Sequence, residues 1–345
     1  MPPDPALEPP RAHGATLCAA RLRTEPEDFL VQEQLGFAPA GAGQHVLLRV
    51  RKRNANTPWV ARELARHCGC RPQDVGYAGL KDRRAVAVQW FSVPGSRLTL
   101  ADWQSVCRSD FQVIEAHAHS RKLPRGALSG NRFSIRARGV SAGDAPLAER
   151  LGAIGARRVP NYFGPQRFGR DGANLERAAA GLRRLRPPER GFVLSAARSL
   201  VFNAVLAARV AQGSWDGLEA GDVAVLDGRG SHFPVETPDE TLRERCARLE
   251  IHPSGPLWGR GAPPTGGRVR ALEEDIAARY GPQCALVAEA GMAAERRSLR
   301  LAVRELAWRR EGEDVVLEFV LTRGAYATVV LRELFAFSDQ DESST

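Results

Sequence analysis

Lysine is scarce in this chain: Lys52, Lys81 and Lys122 stand against 46 arginines. No run of eighteen apolar residues occurs, so there is no uninterrupted apolar stretch to form a membrane span. The start, Met1 to Pro10, is proline-rich and acidic, unlike the basic and then apolar start of a secretory signal. A soluble, cytoplasmic chain is expected. Of the six cysteines, only Cys68 and Cys70 are close together, and no second pair answers them. A four-ligand zinc site is thereby unsupported, and reduced thiols are the expected state. Glycine signatures of a phosphate loop or a dinucleotide fold are missing, since Gly41-Ala-Gly43 lacks the rest of the pattern. Neither a metal nor a nucleotide cofactor is expected.

Positive charge is present and unevenly placed. The chain carries 49 basic and 40 acidic residues, a net charge of +9. Residues 1–156 hold 22 basic against 14 acidic residues, and residues 157–345 hold 27 against 26. No acid lies between Glu115 and Asp144, where Arg121, Lys122, Arg125, Arg132, Arg136 and Arg138 sit. A field of this kind favours a polyanion, most often nucleic acid, although a merely basic surface gives the same count.

The 345 residues suffice for one large domain or two. Residues 1–15 read as a flexible leader and 338–345 as a loose acidic tail. Val46 to Arg51 has strand character, and Thr57-Pro58 reads as a capped helix start. Val60, Leu64 and Cys68 continue that helix to Gly69. Strands are expected at Val75–Leu80 and Ala85–Val93, with Lys81 to Arg84 as the loop between them. From Arg132 to Val140, Phe133, Ile135 and Ala137 alternate with Arg132, Ser134, Arg136 and Arg138, which gives an apolar face and an arginine face suited to phosphates.

Helices are expected at 147–158, 174–184, 193–212, 239–249 and 269–280, and strands at Val315–Leu321 and Ala327–Leu331. Asn161 to Arg170 is a loop dense in aromatic, glycine and arginine residues, and Ser254–Gly267 reads as a surface loop. Helices in the middle and strands at both ends suggest an inserted domain within a sheet domain. No sustained heptad argues for an interface, so a monomer is expected.

Asp82 stands out, flanked by Lys81, Arg83 and Arg84. A carboxylate there could serve as nucleophile, base or metal ligand, or could simply form surface salt bridges in a turn. A two-metal nuclease would need several converging carboxylates, and this half of the chain has few. Five segments resemble tRNA pseudouridine synthase D, the TruD family, and appear in the family's order over residues 20–335. They are Thr24-Glu-Pro-Glu-Asp-Phe29; Gly76-Tyr-Ala-Gly-Leu-Lys-Asp-Arg83 with Gln89-Trp-Phe91; Gly130-Asn-Arg-Phe133; Val159-Pro-Asn-Tyr-Phe-Gly-Pro-Gln-Arg-Phe-Gly169; and Ala325-Tyr-Ala-Thr328 before Leu331-Arg-Glu-Leu334. Leu194-Ser-Ala-Ala-Arg-Ser199 supports them.

The resemblance implies an α/β fold: a mixed-sheet pseudouridine synthase catalytic domain (16–157 and 301–337) carrying an inserted TRUD domain (158–300). It implies a cofactor-free isomerase that turns uridine-13 of tRNA into pseudouridine. The family nucleophile falls on Asp82. Arg23 matches a basic residue expected to pair with it, and Lys81 is expected to add charge beside it. Substrate-contacting positions fall on Phe29, Asn131 and Tyr326, the last commonly phenylalanine in the family. Phe133 matches the aromatic that stands where other pseudouridine synthases have tyrosine, although its alternation alone suits a buried strand. Arg121, Lys122, Arg125, Arg132 and Arg136 would grip the RNA backbone. A catalytically silent tRNA-binding chaperone of the same fold is the alternative.

Overall fold

One large sheet combines strands of alternating burial, such as Phe29–Leu35, with the strand Val86–Pro94, buried along nearly its whole length. The structure, a computed structural model, describes residues 4–95, 99–169, 172–182 and 185–337; the expected acidic tail and Arg170 lie outside them. The chain packs as two compact units. The sheet unit comprises Cys18–Asp144, Arg304–Gly324 and the residues from Ala336; the second unit comprises the residues to Leu17, Ala145–Val303 and Ala325–Phe335.

In the sheet unit the strands run from edge to edge as Arg304–Glu311, Asp314–Thr322, Leu128–Ala137, Phe29–Leu35, Val86–Pro94, His45–Arg53 and Phe111–His119. The short strand Gly76–Tyr77 pairs beside Val86–Pro94. Neighbours are antiparallel except Phe29–Leu35 against Val86–Pro94, so the sheet is mixed. Leu128–Ala137 follows its sequence pattern: Phe133, Ile135 and Ala137 are buried, and Arg132, Ser134 and Arg136 are half-buried. The helix Thr57–Cys68 packs Val60 and Leu64 against Leu48, Val50, Phe91, Trp103 and Phe111. Each such side chain, fully buried, contributes about 1.5–3 kcal/mol. Gly69 ends the helix at φ 71°, a left-handed conformation that favours glycine.

The expected strand Val75–Leu80 pairs only at Gly76–Tyr77. Beyond it the backbone finds other partners: the Ala78 carbonyl accepts from Gly126 N–H and the Gly79 carbonyl from Gln89 Nε2.

The second unit is organised on the helix Pro187–Ala211. Its stretch Glu189–Ala211 is long and apolar enough to cross a membrane, with mean hydropathy 1.6, yet 72% of the apolar window is buried within the protein. Interspersed arginines, serines and Asn203 hid this from a count of unbroken apolar residues. Hydrophobic nearly all round, it is a core helix. A four-stranded antiparallel sheet lies with it, in the order His232–Val235, Asp222–Leu226, Ile251–Leu257 and Glu295–Ser298. Arg209 Nη1 and Nη2 donate to the two Asp222 oxygens at 2.8 and 3.0 Å, joining helix to sheet.

Three expectations change in this unit. Ser254–Gly267 begins inside the buried strand Ile251–Leu257, whose prolines and glycine masked it. Ala327–Leu331 is a short helix with four of its residues buried; tertiary packing overrides the β preference of Thr328, Val329 and Val330. Residues 4–15, expected to be loose, are held: Ala6 is fully buried, its carbonyl accepts from Asn203 Nδ2 at 3.0 Å, and Asp4 accepts from the Tyr280 hydroxyl at 2.6 Å. The compact units divide at 144/145 and 303/304. The helix Asp144–Arg157 falls mostly with the second unit, where Arg150 donates to the Glu333 carbonyl at 2.7 Å and Arg157 pairs with Asp216 at 2.8 Å.

Candidate active site

The segment between Gly76–Tyr77 and Val86–Pro94 carries Lys81 and Asp82, and its backbone is tied from several sides. Gly76 permits its entry: a Cβ there would lie 2.4 Å from Ser92 Oγ and 2.6 Å from the Leu123 carbonyl oxygen. Gln89 Nε2 donates to the Gly79 carbonyl at 2.6 Å, and Lys81 N–H donates to Thr57 Oγ1 at 3.1 Å. Thr57 Oγ1 in turn donates to Gln89 Oε1 at 3.0 Å. Thr57 is therefore not the helix cap its sequence suggests. Asn56 occupies that position, and the threonine hydroxyl serves the loop.

Lys52 is the residue that sequence reasoning did not place. Its side chain is fully buried, and Nζ donates to the carbonyls of Ala55 at 2.7 Å, Asp82 at 2.9 Å and Lys81 at 3.4 Å. One ammonium thus clamps the backbone of the two loop residues that bear the charges. Burial pulls its pKa down to about 8, against the attraction of Asp82 and Glu33. The rarity of lysine in the chain was the signal that marked it.

The Asp82 side chain is 53% exposed, and its Oδ2 accepts from Arg23 Nη2 at 2.9 Å. Arg23 is the better buried partner, 12% exposed, and its guanidinium lies 4.4 Å from the centroid of the Phe29 ring. Its backbone sits at φ 54°, a left-handed conformation that costs a non-glycine residue about 1–3 kcal/mol. The motif before Phe29 explains the ring's placement. Pro26–Asp28 form one 3-10 turn, Asp28 Oδ2 accepts from Glu25 N–H at 2.9 Å, and Arg138 bonds both Asp28 oxygens at 2.8 Å.

Phe29 continues into an aromatic row, with Phe133 at 6.0 Å and Phe319 a further 5.5 Å beyond it, centroid to centroid. Phe29 and Phe133 are 4% and 6% exposed, so both belong to the core as well as to the expected set. Asn131 is buried opposite Glu33 in the strand register. Its Oδ1 is an acceptor with no hydrogen-bond partner among the described residues, a state that costs about 1–3 kcal/mol unless a ligand fills it. Gly130 lets the strands approach here, since a Cβ would lie 2.5 Å from the Leu321 carbonyl oxygen.

Lys81 has an acid partner of its own. Its ammonium pairs with Glu33 Oε1 at 2.8 Å, and the Glu33 side chain is fully buried. Glu33 Oε2 also accepts from Trp90 N–H at 2.8 Å, where the pairing of its strand with Val86–Pro94 ends. Burial raises the Glu33 pKa, and Lys81 opposes the shift. A carboxylate in phase with Phe29 and Val31 on an apolar face was the overlooked signal.

The expected RNA-backbone cations divide into two groups. Arg121, Lys122 and Arg125 are exposed; Lys122 Nζ donates to the Gln73 carbonyl at 2.6 Å, and Arg125 lies over Tyr77 at 3.9 Å. Arg132 instead pairs with Glu305, and Arg136 with Glu311 and Asp314. The arginine face is met by acids from a hairpin far along the chain, which a local charge count cannot register. Tyr326 belongs to the second unit, where its hydroxyl accepts from Arg167 Nη2 at 2.8 Å. Among the described residues no group of three His, Cys, Asp or Glu side chains converges as a metal site.

The mixed α/β fold is that of a pseudouridine synthase. A crystal structure from Methanosarcina mazei assigned to tRNA pseudouridine synthase D superposes with a TM-score of 0.73 at 20% identity, over 97% of this chain and 98% of that one. The family model "tRNA pseudouridine synthase D (TruD)" matches residues 12–176 and 171–334. Similar proteins named tRNA pseudouridine synthase D include one from Methylococcus capsulatus, 46% identical over 96% of this chain and 95% of its own, and one from Nitrosococcus oceani, 47% identical over 92% and 91%. The chain belongs to the tRNA pseudouridine synthase D family.

Proposed function

We propose that this protein isomerises uridine-13 of tRNA to pseudouridine, with Asp82 as the essential carboxylate. The observation that carries this reading is the Asp82 environment: an exposed side chain on a backbone clamped by Lys52, with Arg23 bound to the carboxylate. Catalysis by a positioned group depends on such fixed geometry.

The reaction breaks the N1–C1′ bond and joins C5 to C1′. N1 gains a proton and C5 loses one to solvent, so the change is redox-neutral. Asp82 either attacks C1′ or removes the C2′ proton to give a glycal; both routes need its carboxylate ionised. Flipping the uridine costs a few kcal/mol. Phe29 and Phe133 are proposed to meet the nucleoside, and Asn131 Oδ1 to accept from uracil N3–H. Tyr326 keeps a proposed substrate role, with the hydroxyl that distinguishes it from phenylalanine engaged by Arg167. Arg121, Lys122 and Arg125 are proposed to contact RNA phosphates, while Arg132 and Arg136 serve mainly as structural ion pairs. In this reading the protein works as a cytoplasmic monomer, without a cofactor.

The test uses tRNA transcripts tritiated at uridine C5, incubated with the protein in excess EDTA. The expected result is tritium release from the wild-type transcript and none from a transcript with cytidine at position 13. Absence of release from a folded protein that binds tRNA would establish the chaperone instead.

A further inference from the structure

The loop Asn161–Gly169 of the second unit is pinned more firmly than a simple turn requires. Asn161 N–H donates to the Leu299 carbonyl at 2.8 Å and its Nδ2 to the Ser298 carbonyl at 2.9 Å. Phe163 N–H donates to Asn203 Oδ1 at 2.9 Å, and Asn203 Nδ2 returns to the Phe163 carbonyl at 3.0 Å. The ring held in this way carries two guanidiniums, Arg167 at 5.1 Å and Arg297 at 4.2 Å from its centroid.

All their polar partners are neutral. Arg167 Nη1 donates to Ser195 Oγ at 3.0 Å and Nη2 to the Tyr326 hydroxyl at 2.8 Å; Arg297 Nη2 donates to Asn161 Oδ1 at 2.6 Å. Among the described residues neither guanidinium is in an ion pair, and Arg167 Nε is buried with no partner. The unit provides for its other enclosed arginines: Arg209 pairs with Asp222, Arg296 with Glu273 and Arg332 with Glu333. Arg300 is surrounded by His252 and carbonyl oxygens. Burial and the nearby Arg167 charge pull the Arg297 pKa down to about 10. Two cations gathered about one ring, Arg167 from the loop and Arg297 from the strand Glu295–Ser298, without an acid bonded to either among the described residues, lack a counter-charge.

We infer that Arg167 and Arg297 form a binding site for a phosphodiester group of the RNA substrate. The guanidinium fork matches phosphate oxygens in pairs. Phe163 fixes where both forks lie, and the Tyr326 hydroxyl and Ser195 orient Arg167. The inference rests on the reading of tRNA as substrate, and it adds backbone recognition in the second unit to chemistry in the sheet unit.

The test is tRNA affinity of the full-length protein between about 50 and 200 mM KCl. Arg167→Gln and Arg297→Gln are each expected to lower the slope of log affinity against log salt by about one. Arg167→Lys and Arg297→Lys keep the charge and therefore the slope, but lose affinity several-fold at every salt concentration because the fork is gone. A folded glutamine variant with the wild-type slope overturns the site. If the glutamine variants unfold, lysine variants that match wild type in both affinity and slope overturn it. Failure of the wild type itself to bind tRNA removes the proposed function as well, and the wild-type titration alone reveals that case.

Discussion

Lys52 has three carbonyl oxygens around its ammonium and no access to solvent. Lys52→Met would free the backbone of Lys81 and Asp82, and a misplacement of this kind costs on the order of 10²-fold in rate. The expected result is a fall in kcat with little change in KM. pH acts on the same group. Above about pH 8 the folded protein releases this proton, leaving an amine with two donors for three acceptors, so activity declines as pH rises through that value. Stability moves the other way. Between the folded pKa of about 8 and the unfolded value of ~10.4, the unfolded chain binds more protons, so this group's contribution to unfolding free energy rises with pH. Comparing pH profiles of kcat and of urea midpoint between wild type and Lys52→Met checks both signs. Glu33→Ala would strand the Lys81 ammonium, with an expected loss of about 3–5 kcal/mol by urea unfolding; a loss below 1 kcal/mol would mean the pair is not the anchor described. At this scale the sequence marked the proposed reactive groups: Asp82 and Asn131 because ordered motifs carry them, and Arg23 through its match to a basic residue of the family. Lys52 and Glu33 were illegible as partners, since their roles depend on register and burial.

Gly130 and Asn131 show how an element serves the site. The strand Leu128–Ala137 places Asn131 opposite both Glu33 and Leu321, and Gly130 permits that approach. Gly130→Ala would press a methyl group onto the Leu321 carbonyl oxygen, for an expected loss of about 1–3 kcal/mol. Thermal unfolding measures it, and an unchanged midpoint would show that the strands can separate freely. Leu128–Ala137 was readable from alternation, His45–Arg53 from its apolar and β-branched character, and the helix closed by Gly69 from its four-residue spacing. Ala327–Leu331 was not, because a five-residue apolar stretch suits either state until its packing is known. Ile251–Leu257 was hidden by Pro253 and Pro256, residues that elsewhere mark loops.

Across the molecule, chain order and spatial order part company. The second unit takes residues from the N-terminal, middle and C-terminal parts of the chain, which a reading taken segment by segment along the chain does not bring together. The N-terminal segment illustrates this. Composition suggested a free leader, yet Ala6 is buried and bonded to Asn203, whose side chain also holds Phe163. Deletion of residues 1–8 is expected to lower the melting temperature and weaken tRNA binding together; a truncated protein with wild-type melting would contradict the packed arrangement. The uneven charge pointed toward RNA, but the acids that neutralise Arg132 and Arg136 arrive from a distant hairpin.

The most direct test compares wild type with Asp82→Asn on tritiated tRNA, reading tritium release and tRNA affinity on the same preparations. The variant keeps the side chain's size and removes its charge. Release by wild type, none by Asp82→Asn and equal affinity for tRNA is the predicted result. Release by a folded Asp82→Asn protein at the wild-type rate would contradict the assignment of Asp82 as the essential carboxylate.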